Sequence, residues 1–307
     1  MKGLIHKVLS RFYEPLRVRL DGLSKQSDRN AVLMGQLLAQ GFSVEETRER
    51  ITSYEFKVFS QFGEDGIIQY LISRVPIINP VFVELGVEDY YESNTRFLLT
   101  GKKWAGLVVE SDADCVEKIK RQKIYWQSRL KAASAFITRE NINRILTEAG
   151  IEGDIGLFSL DLDGNEYWIW QALEVVQPRI VVCEFNLRFG FEHAITIPYR
   201  PDFEVRRAHP SRFYHGASLP ALCLLAEQKG YDFVGCTSER VNAFFVRKDV
   251  SHGLAKLTAR DGFEATKTGG RRFDKYLDDW RQVAGLPVVN VETGSVGTLE
   301  ESLSSNG

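Results

Sequence analysis

The sequence has few features of secreted or membrane-spanning proteins. Its 307 residues include only four cysteines, which are scattered without CxxC spacing, and Cys183 lies in an apolar run typical of a buried thiol. No apolar run reaches the roughly 18 residues that a membrane span needs. The first residues also lack the uninterrupted apolar core and the small-residue cleavage site of a signal peptide. We therefore expect a soluble, reduced, cytoplasmic protein.

A charge excess is also absent. The formal net charge is −2 and the sequence pI is about 6.3, so nothing in the overall charge attracts nucleic acid, and we expect no nucleic-acid partner. No internal repeat or low-complexity tract is present. The length exceeds that of one typical domain, but single α/β domains are often this large. One large domain with appendages is the simplest organisation.

The first appendage covers residues 1–55, which have a helical pattern. Leu4, Val8, Phe12, Leu16 and Leu20 form an apolar stripe, and basic residues lie on the other side. Pro15 is expected to interrupt this helix. Two roles are consistent with the pattern. The prefix either packs or forms homo-oligomers through its helices, or it rests on the inner face of a membrane as a peripheral amphipathic helix.

Residues 56–250 alternate strand and helix patterns, which predicts a mainly parallel sheet covered by helices on both faces. The predicted strands cover residues 81–85, 105–111, 132–136, 154–162, 179–185, 231–237 and 242–248. The predicted helices cover residues 113–127, 141–149, 167–176 and 219–228. Only SERV separates the last two strands, so they should form an antiparallel hairpin. This is the layout of Rossmann-like methyltransferases that use S-adenosylmethionine (SAM).

Residues 251–307 form a C-terminal extension with a weaker pattern. Residues 271–285 have the periodicity of an amphipathic helix, and LPVVNV predicts a short strand. The Ser- and Gly-rich end that begins at Gly294 is expected to be mobile.

The run VFVELGVEDYYESNT, residues 81–95, has the pattern of a strand, a tight turn and a helix start. Glu84 lies near the end of the strand, and Gly86 would let the backbone turn close to a ligand. Glu110 ends the next strand, where a carboxylate accepts hydrogen bonds from ribose hydroxyls. The turn lacks GxGxxG. This absence weighs against a dinucleotide and is compatible with SAM, which has no pyrophosphate.

Acidic residues also end the fourth and fifth predicted strands, in LDLDGNEYW and CEFN. Asp161, Asp163, Glu184 and Asn186 should therefore lie along one rim. Converging carboxylates repel one another unless a proton, a donor or a cation intervenes. Either Mg²⁺, or another divalent cation, held by Asp161, Asp163 and Glu184, or a general base of raised pKa would explain the cluster. Alternatively, Asp163 and Asn165 only form the turn and cap the next helix.

The segment from residue 187 to residue 215 has no long periodic element but is rich in arginine, histidine and aromatic residues. A long insertion at the rim of a sheet is usually functional, and we interpret it as a substrate lid. His215, which precedes a Gly turn and a predicted helix, is the preferred catalytic histidine of this segment.

Six segments together resemble the FkbM-type family of SAM-dependent methyltransferases, in its glycan-associated branch. They are SQFGEDGII, VFVELGVEDYYESNT, WAGLVVESD, LFSLDLDGNEYWIW, RIVVCEFN and the stretch from YHGAS to NAFFV. The resemblance implies a SAM-dependent O-methyltransferase that acts on a saccharide hydroxyl of a glycan, a polysaccharide or a glycosylated natural product. DGNEYW is also similar to the fourth strand of Mg²⁺-dependent sugar O-methyltransferases, although Phe185 stands where those enzymes have a second acid.

The resemblance also implies site residues. The cofactor-binding set is Gln61, Glu84, Gly86, Asn94, Glu110, Ser111 and Asp161. The catalytic candidates are Asp161, Glu184 and His215, any of which would remove the proton of the acceptor hydroxyl. For SQFGED, a helix start is the alternative to a role near the methionine end of SAM. Two other functions remain open: a non-catalytic SAM-binding partner of a glycan-assembly enzyme, and an NAD-dependent oxidoreductase.

Overall fold

The computed structural model describes residues 2–42, 50–266 and 277–304. The strands in chain order are β1 Val81–Leu85, β2 Ala105–Glu110, β3 Leu130–Ser134, β4 Gly153–Leu160, β5 Val176–Glu184, β6 Ile195–Thr196, β7 Tyr231–Cys236, β8 Asn242–Arg247, β9 Pro287–Asn290 and β10 Val296–Thr298. Seven of them form one sheet in the order β3-β2-β1-β4-β5-β8-β7. Strands β1 to β5 are parallel, and the β7–β8 hairpin is antiparallel.

This order is that of a Rossmann-like methyltransferase fold, and it confirms the predicted fold class. The chain leaves β1 in one direction toward β2 and β3 and returns to the other side of β1 at β4, so strand order reverses between β1 and β4. Ligands of open parallel sheets bind outside the carboxyl ends of the strands at such a reversal. The fold therefore places the ends of β1 and β4 at the expected site.

The helices cover both faces of the sheet. They are α1 Lys2–Gln40, α2 Glu64–Arg74, α3 Arg96–Gly101, α4 Ala113–Arg121, α5 Lys123–Gln127, α6 Ile142–Glu148, α7 Glu166–Ala172, α8 Val205–Ala208, α9 Leu219–Gln228, α10 Ala259–Ala265 and α11 Leu299–Ser304. Alternate strand residues enter opposite cores, as Phe82 and Val83 do. The predicted helix over residues 113–127 is divided at Gln122, whose backbone is extended.

Helix α1 differs from the expectation at Pro15. It runs without interruption from Lys2 to Gln40, through the proline that was expected to break it. Its C-terminal part packs on the domain: a methyl group added at Gly35 would lie 2.7 Å from Val58 Cγ2, and Gln36 Nε2 donates to the Gly101 carbonyl at 2.7 Å. Among the described residues, no helix combines the length and the apolar character needed to cross a bilayer.

The insertion after β5 and the C-terminal extension form one unit. Strand β6 of the insertion pairs antiparallel with β9, which pairs with β10. A separate small core joins the two segments through residues such as Phe203, Tyr214 and Val288.

Strand β9 confirms the strand predicted from LPVVNV. Of the predicted helix over residues 271–285, residues 271–276 lie outside the described residues, and Leu277–Val283 form a 3-10 helix. Residues 296–304, expected to be mobile, contain β10 and α11.

Candidate functional site

A cleft of about 1210 Å³ opens at the carboxyl ends of the central strands. All seven predicted cofactor-binding residues line it, as do the predicted metal ligands Asp163 and Glu184. Asp161, which belongs to both sets, also lines the cleft. The fold thus brings together residues that are up to 123 positions apart, from Gln61 to Glu184.

Glu84, near the end of β1, is buried and fully hydrogen-bonded. Its carboxylate accepts hydrogen bonds from Ser93 Oγ at 2.7 Å, the Asn94 backbone N–H at 2.8 Å, and both the backbone N–H and the hydroxyl of Thr95, at 3.1 and 2.5 Å. Burial raises the pKa of Glu84. Thr95 is the residue before α3, but its hydroxyl serves Glu84 rather than the helix end. Glu84 therefore fixes the loop between β1 and α3.

Gly86 is required by the fold. Its φ of +75° lies in the left-handed region, and an added Cβ would lie 1.7 Å from the carbonyl oxygen of Asp161. This glycine leaves room for the chain that follows β4, and because it also lines the cleft, its place beside a cofactor stays a prediction. The Asp161 N–H also donates to the Leu85 carbonyl at 3.1 Å, so the ends of β1 and β4 are held together.

Glu110, at the end of β2, reaches across to the loop after β1. One carboxylate oxygen accepts the backbone N–H groups of Val87 and Glu88, at 3.2 and 2.9 Å. The other accepts the Ser111 hydroxyl at 2.9 Å and the Asp112 backbone N–H at 3.0 Å. These contacts fix the carboxylate at the floor of the cleft with its orientation already set. The Ser111 hydroxyl is oriented by the same contact.

Gln61 and Asn94 approach the cleft beside this floor. Gln61 is exposed, whereas Asn94 is buried and donates from Nδ2 to Ser159 Oγ at 3.1 Å. In SQFGED, Asp65 accepts the backbone N–H groups of residues 58, 59 and 60 at 2.7 to 2.8 Å, and burial raises its pKa to about 6. Helix α2 begins at Glu64. This motif therefore starts a helix and also brings Gln61 to the cleft.

The turn after β4 depends on a residue that the sequence reasoning missed. Glu166 is buried and accepts the backbone N–H groups of Leu162 at 2.8 Å and Gly164 at 2.9 Å, which closes the turn over the start of α7. Asp163 has a left-handed backbone, with φ of +53°, and is exposed. Asn165 does not cap α7; its Nδ2 donates to the Arg200 carbonyl instead. A Glu immediately before the predicted helix over residues 167–176 was the available signal.

The rim over β4 and β5 holds carboxyl groups that resist ionisation. Burial, and then the neighbouring charge of Asp163, raise the pKa of Asp161 well above its usual range. Burial, and then the charge of Asp161, do the same to the pKa of Glu184. Glu184 Oε2 is inaccessible to solvent and has no hydrogen-bond partner. Such a carboxyl group either holds a proton or binds a cation or a hydrogen-bond donor of a ligand.

His215, from the insertion, is buried beside this rim and is not among the residues that line the cleft. Burial lowers its pKa to about 4, so the imidazole is neutral at neutral pH, and its Nδ1 has no hydrogen-bond partner. One donor atom from each of Asp163, Glu184 and His215 lies within 4.8 Å of the others. Two ligands of one Zn²⁺ or Mg²⁺ ion lie at most about 4.4 Å apart and two ligands of one Ca²⁺ ion at most about 5.2 Å apart, so these atoms are near the separation that a shared cation needs. The predicted metal set had Asp161 in the place of His215.

The insertion covers one side of the cleft. Phe203, Glu204, Val205 and Arg206 line it. Asn186, expected to lie on the rim, instead donates from Nδ2 to the carbonyls of Phe213 at 2.8 Å and His215 at 3.0 Å, and so holds the two ends of the insertion together. A further lining residue, Asn242 at the start of β8, was not predicted.

Comparison with known proteins gives likenesses of fold. No protein-family model and no curated protein matches the chain. Among solved structures, it is similar to a SAM-dependent methyltransferase from Clostridium acetobutylicum, with 10% identity and a TM-score of 0.38 over 60% of this chain and 90% of that one. It is also similar to a putative caffeoyl-CoA O-methyltransferase from Staphylococcus aureus, with 13% identity and a TM-score of 0.39 over 80% of this chain and 99% of that one.

An O-methyltransferase from Bacillus cereus in complex with SAH gives 12% identity and a TM-score of 0.38, over 72% of this chain and 89% of that one. Likenesses of this size do not assign an activity to the chain. The strand order defines the fold, and the side chains at the strand ends carry the functional argument.

Proposed function

We propose that this chain is a SAM-dependent O-methyltransferase of the FkbM type whose acceptor is a saccharide hydroxyl. One observation carries the proposal. Glu184 lines an open cleft, and its buried Oε2 has no hydrogen-bond partner. His215 is not among the residues that line the cleft, but its buried Nδ1 also has no partner, and one of its ring nitrogens lies within 4.8 Å of a Glu184 carboxylate oxygen. Unsatisfied buried groups of perturbed pKa are typical of reactive sites.

The floor of the cleft fits SAM. Glu110 has a fixed carboxylate at the end of β2, where the hydroxyls of a ribose diol would donate hydrogen bonds to it. The loop after β1 contains no helix N-terminus that would hold a pyrophosphate, because β1 ends at Leu85 and α3 begins only at Arg96. This arrangement favours SAM over a dinucleotide, and it argues against the NAD-dependent alternative.

When bound, SAM supplies a methyl group on a positively charged sulfonium. The chain then has two tasks: to align the acceptor hydroxyl and to remove its proton. His215 is neutral and accepts a proton at Nδ1, and Glu184 accepts one when it is ionised. Alternatively, Asp163, Glu184 and His215 would hold a divalent cation, which would lower the pKa of the hydroxyl. A set of two carboxylates and an imidazole suits Mn²⁺ or Zn²⁺ better than Mg²⁺.

The charge of the cleft limits the classes of acceptor molecule that can bind there. Among its described lining residues are ten carboxyl groups and only two cationic side chains, Lys118 and Arg206. Burial raises the pKa of three of the ten, Glu84, Asp161 and Glu184, and the other seven still outnumber the cations. A surplus of this size attracts the positively charged sulfonium and repels phosphates and carboxylates. An uncharged saccharide fits such a cleft, and a nucleotide-linked sugar fits it poorly.

The test is a panel of uncharged saccharides and their nucleotide-linked counterparts, incubated with SAM and followed by mass detection of the methylated product. We expect a mass increase of one methyl group on an uncharged saccharide. SAM binding without methylation of any acceptor would favour the non-catalytic alternative. The same reaction after exhaustive chelation separates the two mechanisms: full activity without metal excludes the cation, and recovery on adding Mn²⁺ supports it.

A further inference from the structure

Helix α1 carries an apolar stripe that the described part of the chain leaves uncovered. Leu16, Leu20 and Leu23 are 53%, 57% and 58% exposed, and Met34 and Leu37 are 64% and 65% exposed. These positions are spaced by three, four, seven or eleven residues, so they lie on one side of the helix. At about 1.5 Å per residue, the stripe from Leu16 to Leu37 is roughly 30 Å long.

The domain holds α1 by a different side. Gly35 packs against Val58 and Phe97, and Gln36 donates to the Gly101 carbonyl. Each residue turns the helix by about 100°, so these contacts lie well away from Met34. The stripe therefore stays open although the helix is attached. Exposed apolar side chains on this scale mark an interaction surface.

The charge of the chain indicates what covers the stripe. Residues 1–40 contain seven Lys and Arg residues and three Asp and Glu residues, whereas the remaining 267 residues contain 32 and 38. A cationic helix is thus attached to an acidic body. Arg19, Lys25 and Arg29 are all exposed. Arg19 borders the stripe, whereas Lys25 and Arg29 lie nearer the opposite side of the helix. Basic residues on the polar face of an amphipathic helix are typical of helices that lie on anionic lipid.

A second copy of the helix fits less well. Two α1 helices side by side would bring like charges together. Ser27 and Asn30 also interrupt the stripe at its middle, where a coiled coil would bury them.

We propose that α1 lies on an anionic lipid surface, with the stripe from Leu16 to Leu37 in the headgroup region. The observations behind it are the exposed stripe, its separation from the contacts to the domain, and the positive charge of the helix. The proposal does not depend on the chemistry of the cleft. It concerns attachment to the surface and not insertion across it.

The test is flotation of the full chain with vesicles of phosphatidylcholine that contain or lack phosphatidylglycerol. We expect binding only to the anionic vesicles. Leu20→Ser/Leu23→Ser should weaken this binding at least roughly tenfold, because two apolar side chains no longer enter the lipid. The matched control is Ile78→Ser, which removes an exposed apolar side chain, 77% accessible, outside α1 and should bind as the original chain does.

The charge contribution has its own variant. Lys25→Gln/Arg29→Gln should weaken binding by about fivefold per charge, and raised salt should have the same effect. Thermal unfolding checks that every variant is folded. Equal binding to both kinds of vesicle, or none to either, would overturn the proposal. So would sedimentation that shows a dimer dissociated by Leu20→Ser/Leu23→Ser, because the stripe would then belong to a second copy.

Discussion

The two halves of the cleft use their carboxylates differently. At the ends of β1 and β2, Glu84 and Glu110 each accept four hydrogen bonds, mainly from backbone N–H groups. At the ends of β4 and β5, Glu184 Oε2 and the nearby His215 Nδ1 have no partner. The carboxylates of the first half are held in place by the chain itself, whereas the second half keeps unsatisfied polar groups.

This difference between the two halves suggests that one half binds the cofactor and the other takes part in the reaction. Carboxylates held by several donors have a fixed position, which suits recognition of a cofactor. Buried groups without donors are costly, and they persist in a fold where they act on a ligand. We therefore expect variants in the two halves to separate SAM affinity from turnover.

The largest effect is expected in the second half. Glu184→Gln keeps the shape of the side chain but can neither accept the proton nor hold a cation. Turnover should fall by roughly 10² to 10⁴, with SAM affinity unchanged, as measured by product formation and calorimetry. The matched control is Glu152→Gln, which alters an exposed carboxylate away from the cleft. Near-normal turnover of Glu184→Gln would transfer the role to His215, where His215→Ala tests it in the same assay.

Gly86→Ala should destabilise the contact between the ends of β1 and β4, where the two halves of the cleft meet. The new methyl group would meet the Asp161 carbonyl oxygen, and the left-handed backbone adds about 1 to 2 kcal/mol. Tm should fall by more than about 4 °C. The control is Gly253→Ala, where φ is +84° but nothing lies within 4 Å of the added Cβ, so only the backbone cost remains. Equal losses in the two variants would contradict the assigned contact.

Glu110→Ala should act on the first half alone. Loss of a charged hydrogen-bond acceptor is expected to weaken SAM binding by about 10- to 100-fold, while turnover at saturating SAM is retained. Ser111→Ala, which removes only a hydroxyl, should weaken it by about threefold or less. If Glu110→Ala also abolishes turnover at saturating SAM, then the two halves are not separable.

The smallest effect concerns pH. Burial raises the pKa of Glu166 from its ordinary value of 4.5 to about 7. The folded state thus favours the protonated form, and this stability is present below pH 4.5 and is lost as pH rises through about 7. The Tm of the original chain should decrease as the pH is raised from 4.5 to about 7. In Glu166→Gln, Tm should decrease less steeply over the same pH range. Equal slopes would show that Glu166 does not titrate in this window.

Much of the fold could be predicted from the sequence because strands and helices leave local patterns. The strand at residues 81–85 was predicted with its observed bounds, and the β7–β8 hairpin followed from its four-residue connection. Helix α1 did not end at Pro15, because one lost hydrogen bond does not outweigh the turns on either side.

The site was less accessible to sequence reasoning. Strand ends could be located, so Glu110 and Glu184 were found. The pairing of β6 with β9 joins segments about 95 residues apart, and no local pattern encodes it. The close contact of Gly86 with the Asp161 backbone was not predicted, because the two residues are 75 positions apart in the sequence. Contacts of this kind are decided by tertiary packing.

The most direct measurement is calorimetric titration of SAM into three proteins: the original chain, Glu110→Ala and Glu184→Gln. We predict binding to the original chain, binding at least about tenfold weaker to Glu110→Ala, and unchanged binding to Glu184→Gln. Absence of SAM binding to the original chain, or equal weakening in the two variants, would contradict the division of the cleft into a binding half and a reacting half.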